Sequence, residues 1–414
     1  MKFDVSYTKL KNGVRVLMAP LPRLESVTAM ILCKTGSRNE GVKQGGISHV
    51  LEHMVFKGTK KYPTSMSIAE TVDGVGAEQN AFTSKEYTGY YITSAAKHLD
   101  LTLDIQAEML TKPLLPQNDL NREREVIVEE INMYEDQPMS KAQEEFENLM
   151  YDGSSMGRMI IGTKESVRGT TSEDLREYMG RWYVGGNVLV VVAGKIPDDR
   201  RQMLVTLEEK LGGLREGTID KYKSKARYGK AEARHFKKKT EQAHFVMGVP
   251  GLSMIDPRRY ALSIAQVILG GPMSSRLFNE IREKRGLAYY VKADVDSNFD
   301  CGYLSVRAGV KLEKLAEAMG VVKEEMLRLA DTFTEVELRR GKDYLLGKLP
   351  MSLESSMEVA QFLGMRTLVL DEIRQPEQVV QMVNKVSLQD VKAVMSELVQ
   401  EKLIRSVVVG PKSK

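Results

Sequence analysis

The strongest constraint on this chain is that it repeats itself. The stretch YTGYYITSAAKHLDLTLDIQAEML (87–110) lines up with CGYLSVRAGVKLEKLAEAMGVVKEEML (301–327), and DLNREREVIVEEI (119–131) lines up with ELRRGKDYLLGKL (337–349). Each copy reads as a strand, an amphipathic helix, a short break and a second helix. NVLVVVAG near 187 and LIRSVVVG near 403 are matching closing strands. Self-similarity on this scale predicts two domains of one architecture, related by duplication. VRVLMAP and SVTAMILCKTG, β-branched or apolar runs that stop at Pro or Gly, add strands ahead of the first copy. The expected class is α+β, with homologous domains over 1–214 and 236–414. Residues 215–235 are charged, largely basic and poor in apolar side chains, so they read as a solvated linker.

The first half carries polar groups that its copy lacks. GGISHVLEHMVFKGT (45–59) places His49 and His53 four residues apart with Glu52 between them, on a segment that should otherwise bury itself. On a helix the two imidazoles share a face one turn apart, and both can reach one ion at roughly 2.0–2.1 Å. A hydrolytic zinc site usually has three protein ligands and one open position. His98, His235 and His244 each stand alone, so a carboxylate is the better third ligand. NREREVIVEEINMYED offers Glu123 and Glu130, seven apart and thus on one helix face, with Val126 and Ile127 on roughly that face and Asn118 or Asp119 as the cap. Glu125 and Glu129 are expected to face water. Salt bridging to Arg122 or Arg124 is the alternative use of these glutamates. Glu52, beside the ion, is placed to take a proton from a metal-activated water and return it to a leaving amine.

The duplication supplies an internal control. The segment opposite SHVLEH falls near LSIAQVILG, which has no histidine, and Glu123 and Glu130 stand opposite Gly341 and Lys348. If the fold needed these polar groups, the second copy would need them too. Composition narrows the remainder. A net charge of +4, from 60 basic and 56 acidic residues, gives no pull toward nucleic acid or an anionic membrane. The two cysteines, Cys33 and Cys301, form no disulfide framework. The first 20 residues lack the apolar core of a secretory leader, and no run reaches the ~18 apolar residues of a membrane span. A cytoplasmic setting is expected.

The order H-x-x-E-H inverts the commoner H-E-x-x-H and marks the inverzincins. HVLEHMVFKGT, followed by Glu130 within EREVIVEEI, resembles the pitrilysin (insulinase) family of zinc metallopeptidases over most of the chain, in its compact bacterial branch. The resemblance implies two domains each built on a mostly antiparallel sheet packed with helices, with no metal site in the second. It implies zinc bound by His49, His53 and Glu130, Glu52 as the base, and Glu123 as a carboxylate that orients a ligand. Within AEQNAFTSKEYTGYY, Asn80 and Ala81 would lie against the scissile region of a peptide added as an extended strand. Arg282 and Tyr289 would hydrogen-bond the substrate and stabilise the tetrahedral intermediate. The expected activity is an endopeptidase acting on oligopeptides or unfolded segments inside a clamshell chamber, as a homodimer. The alternatives are the catalytic subunit of a processing peptidase with a noncatalytic partner, and a noncatalytic peptide-binding or assembly subunit.

Overall fold

The computed structural model describes residues 2–218, 226–230 and 232–411, so the expected linker lies partly outside the described residues. The chain forms two compact units, and each draws a segment from the other half of the sequence. The first comprises Met1–Ile131, Arg158–Lys223 and Pro350–Glu377; the second comprises Asn132–Gly157, Ser224–Leu349 and Gln378–Lys414.

The first unit holds a six-stranded sheet. Its strands are β1 (Ser6–Lys9), β2 (Arg15–Pro20), β3 (Ser26–Cys33), β4 (Glu78–Thr83), β5 (Thr88–Ala95) and β6 (Val188–Gly194), in the order β1-β2-β6-β3-β5-β4. The second unit holds β7 (Ala233–Lys237), β8 (Gln242–Pro250), β9 (Ala288–Ser297), β10 (Gly302–Lys311) and β11 (Arg405–Gly410), in the order β7-β11-β8-β10-β9. Apart from β1 the two orders correspond strand for strand. Each sheet has one parallel pair, β2 with β6 and β7 with β11, and is otherwise antiparallel. The duplication read from the sequence is therefore a duplication of topology.

β6 is buried along its whole length, and alternation gives its two faces different partners. Val188, Val190 and Val192 join the core that contains Val50, Leu51 and Met54 of the helix Ile47–Met54. The opposite face meets the helix Ser356–Leu370, which packs on β3 and β6. Gly364 permits that approach, because a Cβ there would lie 2.8 Å from Val191 Cγ2 and 2.9 Å from Leu32 Cδ1. The hydroxyls of Thr28 and Ser356, 2.8 Å apart, tie the helix to β3. The second sheet mirrors this arrangement with a helix from the first half of the sequence. Pro138–Met150 packs on β8 and β11, with Phe146 over Gly248.

Among the described residues, no helix is long and apolar enough to cross a membrane.

Candidate metal centre

The helix Ile47–Met54 turns Ile47, Val50, Leu51 and Met54 into the core and leaves His49, Glu52 and His53 on its other stripe, half-buried. Its first turn is fixed by a residue the sequence did not flag. Glu40, almost fully buried, accepts hydrogen bonds from the backbone N–H of Gly46 (2.7 Å) and Ser48 (2.9 Å), so a carboxylate sits at the positive end of the helix. No capping signature announces it, because the cap reaches in from six residues upstream of Gly46. Gly46 itself has φ +86°, and a Cβ on it would lie 2.5 Å from the Ile161 carbonyl oxygen. The Ser48 hydroxyl meets Tyr178 Oη at 2.8 Å, and Tyr178 meets Thr35 at 2.7 Å, which fixes the helix rotation from behind.

The second contribution comes from the helix Gln117–Asp136. It starts at Gln117, just ahead of the expected caps Asn118 and Asp119, with Leu120 N–H bonded to the Pro116 carbonyl. Its core face is set by Leu120, Ile127, Val128 and Ile131. Glu123 and Glu130 lie along the margin of that face, and Val126 falls beyond them, 54% exposed. The inward position expected for Val126 is thus wrong, since helical rotation carries it past the glutamates, away from Ile127. Glu125 and Glu129 are exposed, as expected. Arg122 pairs with Asp119, and Arg124 bonds Asn121 and the Thr170 carbonyl, so neither engages Glu123 or Glu130.

Three donor atoms from these helices converge. Nε2 of His49 and Nε2 of His53 each lie 3.8 Å from Glu130 Oε2. This trio, with its ligand atoms all within 4.8 Å of one another, could hold a metal ion. At 3.8 Å these are not hydrogen bonds. Donors placed tetrahedrally about an ion at ~2.1 Å stand ~3.4 Å apart, so the spacing suits an ion between them. The protonation states agree. Burial, aided by the nearby His53, pushes His49 down to about 3, so its imidazole is neutral with a lone pair to offer. Glu123 Oε1 lies 2.9 Å from His53 Nδ1 and accepts its proton, which leaves Nε2 of His53 free to coordinate. Lys57, four residues after His53, meets the other Glu123 oxygen at 2.6 Å. Burial opposes the Glu123 charge, but the His53 and Lys57 contacts outweigh it and hold the carboxyl below its ordinary value. Burial raises Glu130, partly offset by His53. Glu52 is also raised, mainly by burial and further by the charge of Glu130, against the opposing Thr83 hydrogen bond and His53.

Two expectations follow from these contacts. Glu123→Gln should weaken metal binding by about 10- to 100-fold, measured by competition with a chromophoric chelator, because His53 loses its anionic partner. In the metal-free protein, unfolded His49 takes up a proton near pH 6.5 and folded His49 only near 3. The unfolded state thus holds more protons between those values, and stability falls as pH drops through them. Thermal melts should show the loss, and His49→Leu should flatten it.

Glu52 receives a hydrogen bond from Thr83 Oγ1, at the end of β4. Among the described residues β4 pairs with β5 alone, so its other edge carries no strand and is open. Asn80 and Ala81 lie on this strand, and the Asn80 side chain accepts the Ala81 N–H at 2.8 Å. Asn80 is therefore a strand residue, not a turn residue. Arg282 and Tyr289 belong to the second unit, the guanidinium 5.8 Å from the Tyr289 ring centroid and 5.0 Å from that of Phe278, with Tyr289 78% exposed. His98, His235 and His244 are not in the His49–His53–Glu130 group.

The second unit shows what the same scaffold looks like without the polar groups. Gly341, opposite Glu123, lies where a Cβ would be 2.8 Å from Ile264 Cγ2 and 3.5 Å from Ile268 Cγ1. Ile264 and Ile268 are four apart on the helix Arg259–Gly270, as His49 and His53 are on theirs. Apolar packing replaces the imidazole–carboxylate contacts.

Residues 15–164 match the family described as Insulinase (Peptidase family M16), and residues 170–345 match the Peptidase M16 inactive domain. An uncharacterized zinc protease of Streptomyces coelicolor is 34% identical over 98% of this chain and 90% of its own length. The chain belongs to the insulinase family of peptidases, M16. Within this family, the uncharacterized zinc protease YmxG of Bacillus subtilis is 35% identical over 94% of this chain and 95% of its own length. The solved peptidase M16 inactive domain from Pseudomonas fluorescens superposes with a TM-score of 0.92 at 21% identity, covering 99% of this chain and 98% of that one, and so shares the fold. The two-domain α+β architecture expected from the sequence is the architecture of this M16 member.

Proposed function

We propose that this M16 chain is a zinc-dependent endopeptidase that hydrolyses oligopeptides or unfolded segments in a cytoplasmic setting, with a homodimer as the active species. The observation that carries the reading is the convergence of His49 Nε2, His53 Nε2 and Glu130 Oε2, with the Glu52 carboxylate held beside them and next to the open edge of β4. The zinc-protease relatives support zinc as the ion. A zinc ion held by His49, His53 and Glu130 would supply Lewis-acid polarisation of a carbonyl and acidify water. Glu123 keeps His53 in the coordinating tautomer. Glu52 takes a proton from the attacking water and delivers it to the leaving amine, a transfer favoured by a carboxyl already raised by burial. The β4 edge orders the peptide as an added strand through its main chain, with Asn80 turning away from the Ala81 N–H to free that donor. Arg282 and Tyr289 serve as further peptide-contacting groups.

The test is turnover of an internally quenched peptide by the purified chain. Activity is expected with zinc, lost on treatment with a chelator and regained when zinc is returned. An inactive zinc-loaded chain across a diverse peptide set would overturn the reading. Activity that emerges only when a second protein is added would favour the heteromeric processing subunit. Light scattering reads the oligomeric state.

A further inference from the structure

We propose that Thr83 is a positioning residue for the peptidase reaction, its hydroxyl holding one oxygen of the Glu52 carboxylate so that the other is presented for proton transfer. The inference rests on the reading of Glu52 as the base. It is carried by contacts around the base rather than by those of the metal ligands.

A glutamate side chain has three rotatable bonds, and proton transfer needs one of its oxygens at a fixed place. Among the described residues, the side-chain hydrogen bond to Glu52 comes from Thr83, whose Oγ1 donates to Oε2. Threonine suits the task. Its branched Cβ restricts χ1, so the strand backbone sets the direction of the hydroxyl. That backbone is itself held in register. Phe82 pairs with Gly89 and Thr83 with Thr88 across β4 and β5. The Phe82 ring covers the space a side chain on Gly89 would need, since a Cβ there would lie 2.3 Å from Phe82 Cζ. Phe82 also meets the rings of Tyr87 and Tyr91, with centroids 6.1 and 6.5 Å away. Aromatic cover over a strand glycine pins register, and here it fixes where the next residue points. Ala81 and Thr83 are two apart and share a face of β4, so the open strand and the grip on the base belong to one short element. Disturbing that element displaces the base, with no change to any group that holds the ion.

The experiment compares wild type, Thr83→Val and Thr83→Ser by steady-state kinetics on a quenched peptide, with zinc content and melting temperature measured on each. Metal-free Thr83→Val is also crystallised. Valine keeps the shape and removes the donor; serine keeps the donor. The expected result for Thr83→Val is a kcat lower by roughly 10- to 100-fold, as for a misplaced catalytic group, with KM, zinc content and melting temperature unchanged. Serine restores most of the loss, and the Glu52 carboxylate leaves its wild-type position in the crystal. In a Glu52→Gln background, Thr83→Val adds no further loss. An active wild type with an equally active Thr83→Val overturns the proposal alone. So does a loss that appears in KM, zinc content or stability, or one that serine fails to rescue. A zinc-loaded wild type without activity overturns the peptidase reading and this proposal with it.

Discussion

Glu52→Gln is expected to lower kcat by about 100- to 10,000-fold while the protein still binds one zinc per chain and still binds peptide. Glutamine keeps the length and the hydrogen bond from Thr83 but cannot accept a proton. Its predicted signature is a split. Turnover collapses, whereas metal content and peptide affinity, measured by fluorescence anisotropy, stay near wild type. Glu52 contributes none of the three converging donor atoms, so its loss should leave the ion in place. Equal turnover by both proteins would remove Glu52 from the reaction. Loss of zinc in the variant would make it a ligand.

The second large effect is expected at Glu130. Its carboxylate is the third donor, 3.8 Å from each imidazole Nε2. Glu130→Gln should weaken metal binding by more than the about 10- to 100-fold that follows loss of an outer partner such as Glu123. Activity should fall to background at micromolar zinc. The control is the adjacent Glu129, exposed on the same helix, where Gln should change neither metal affinity nor turnover. Competition with a chromophoric chelator and quenched-peptide turnover read both variants. If Glu130→Gln holds zinc as tightly as wild type, the three-donor centre is wrong.

The sequence carried the parts of this site that obey a period. The i, i+4 spacing of the histidines and the seven-residue spacing of Glu123 and Glu130 survive folding, because a helix converts spacing into a shared face. The absence of these groups from the second copy was also legible, and the structure gives it a physical form in Gly341 against Ile264 and Ile268. Val126 was misplaced because three- and four-residue spacing names a stripe and does not say where its margin lies. Glu40 and Thr83 left no trace. One caps a helix from a distant loop, and the other meets Glu52 through a strand whose register only the folded sheet defines. The exchange of helices between halves was equally hidden. The apolar stripes of Pro138–Met150 and Ser356–Leu370 announce that each must be covered, but not by which sheet.

That exchange bears on how the chain is made. The face of β3 and β6 that lies under Ser356–Leu370 stays bare until synthesis has passed residue 370 and that helix has left the ribosome. A nascent chain ending near 214 would therefore hold both site histidines and Glu52, Glu123 and Glu130 yet expose an apolar wall, and would be a client for holding chaperones. For the same reason a protease nick between the repeats would not yield a free amino-terminal half, because the strands of that half would keep their grip on a helix encoded far downstream.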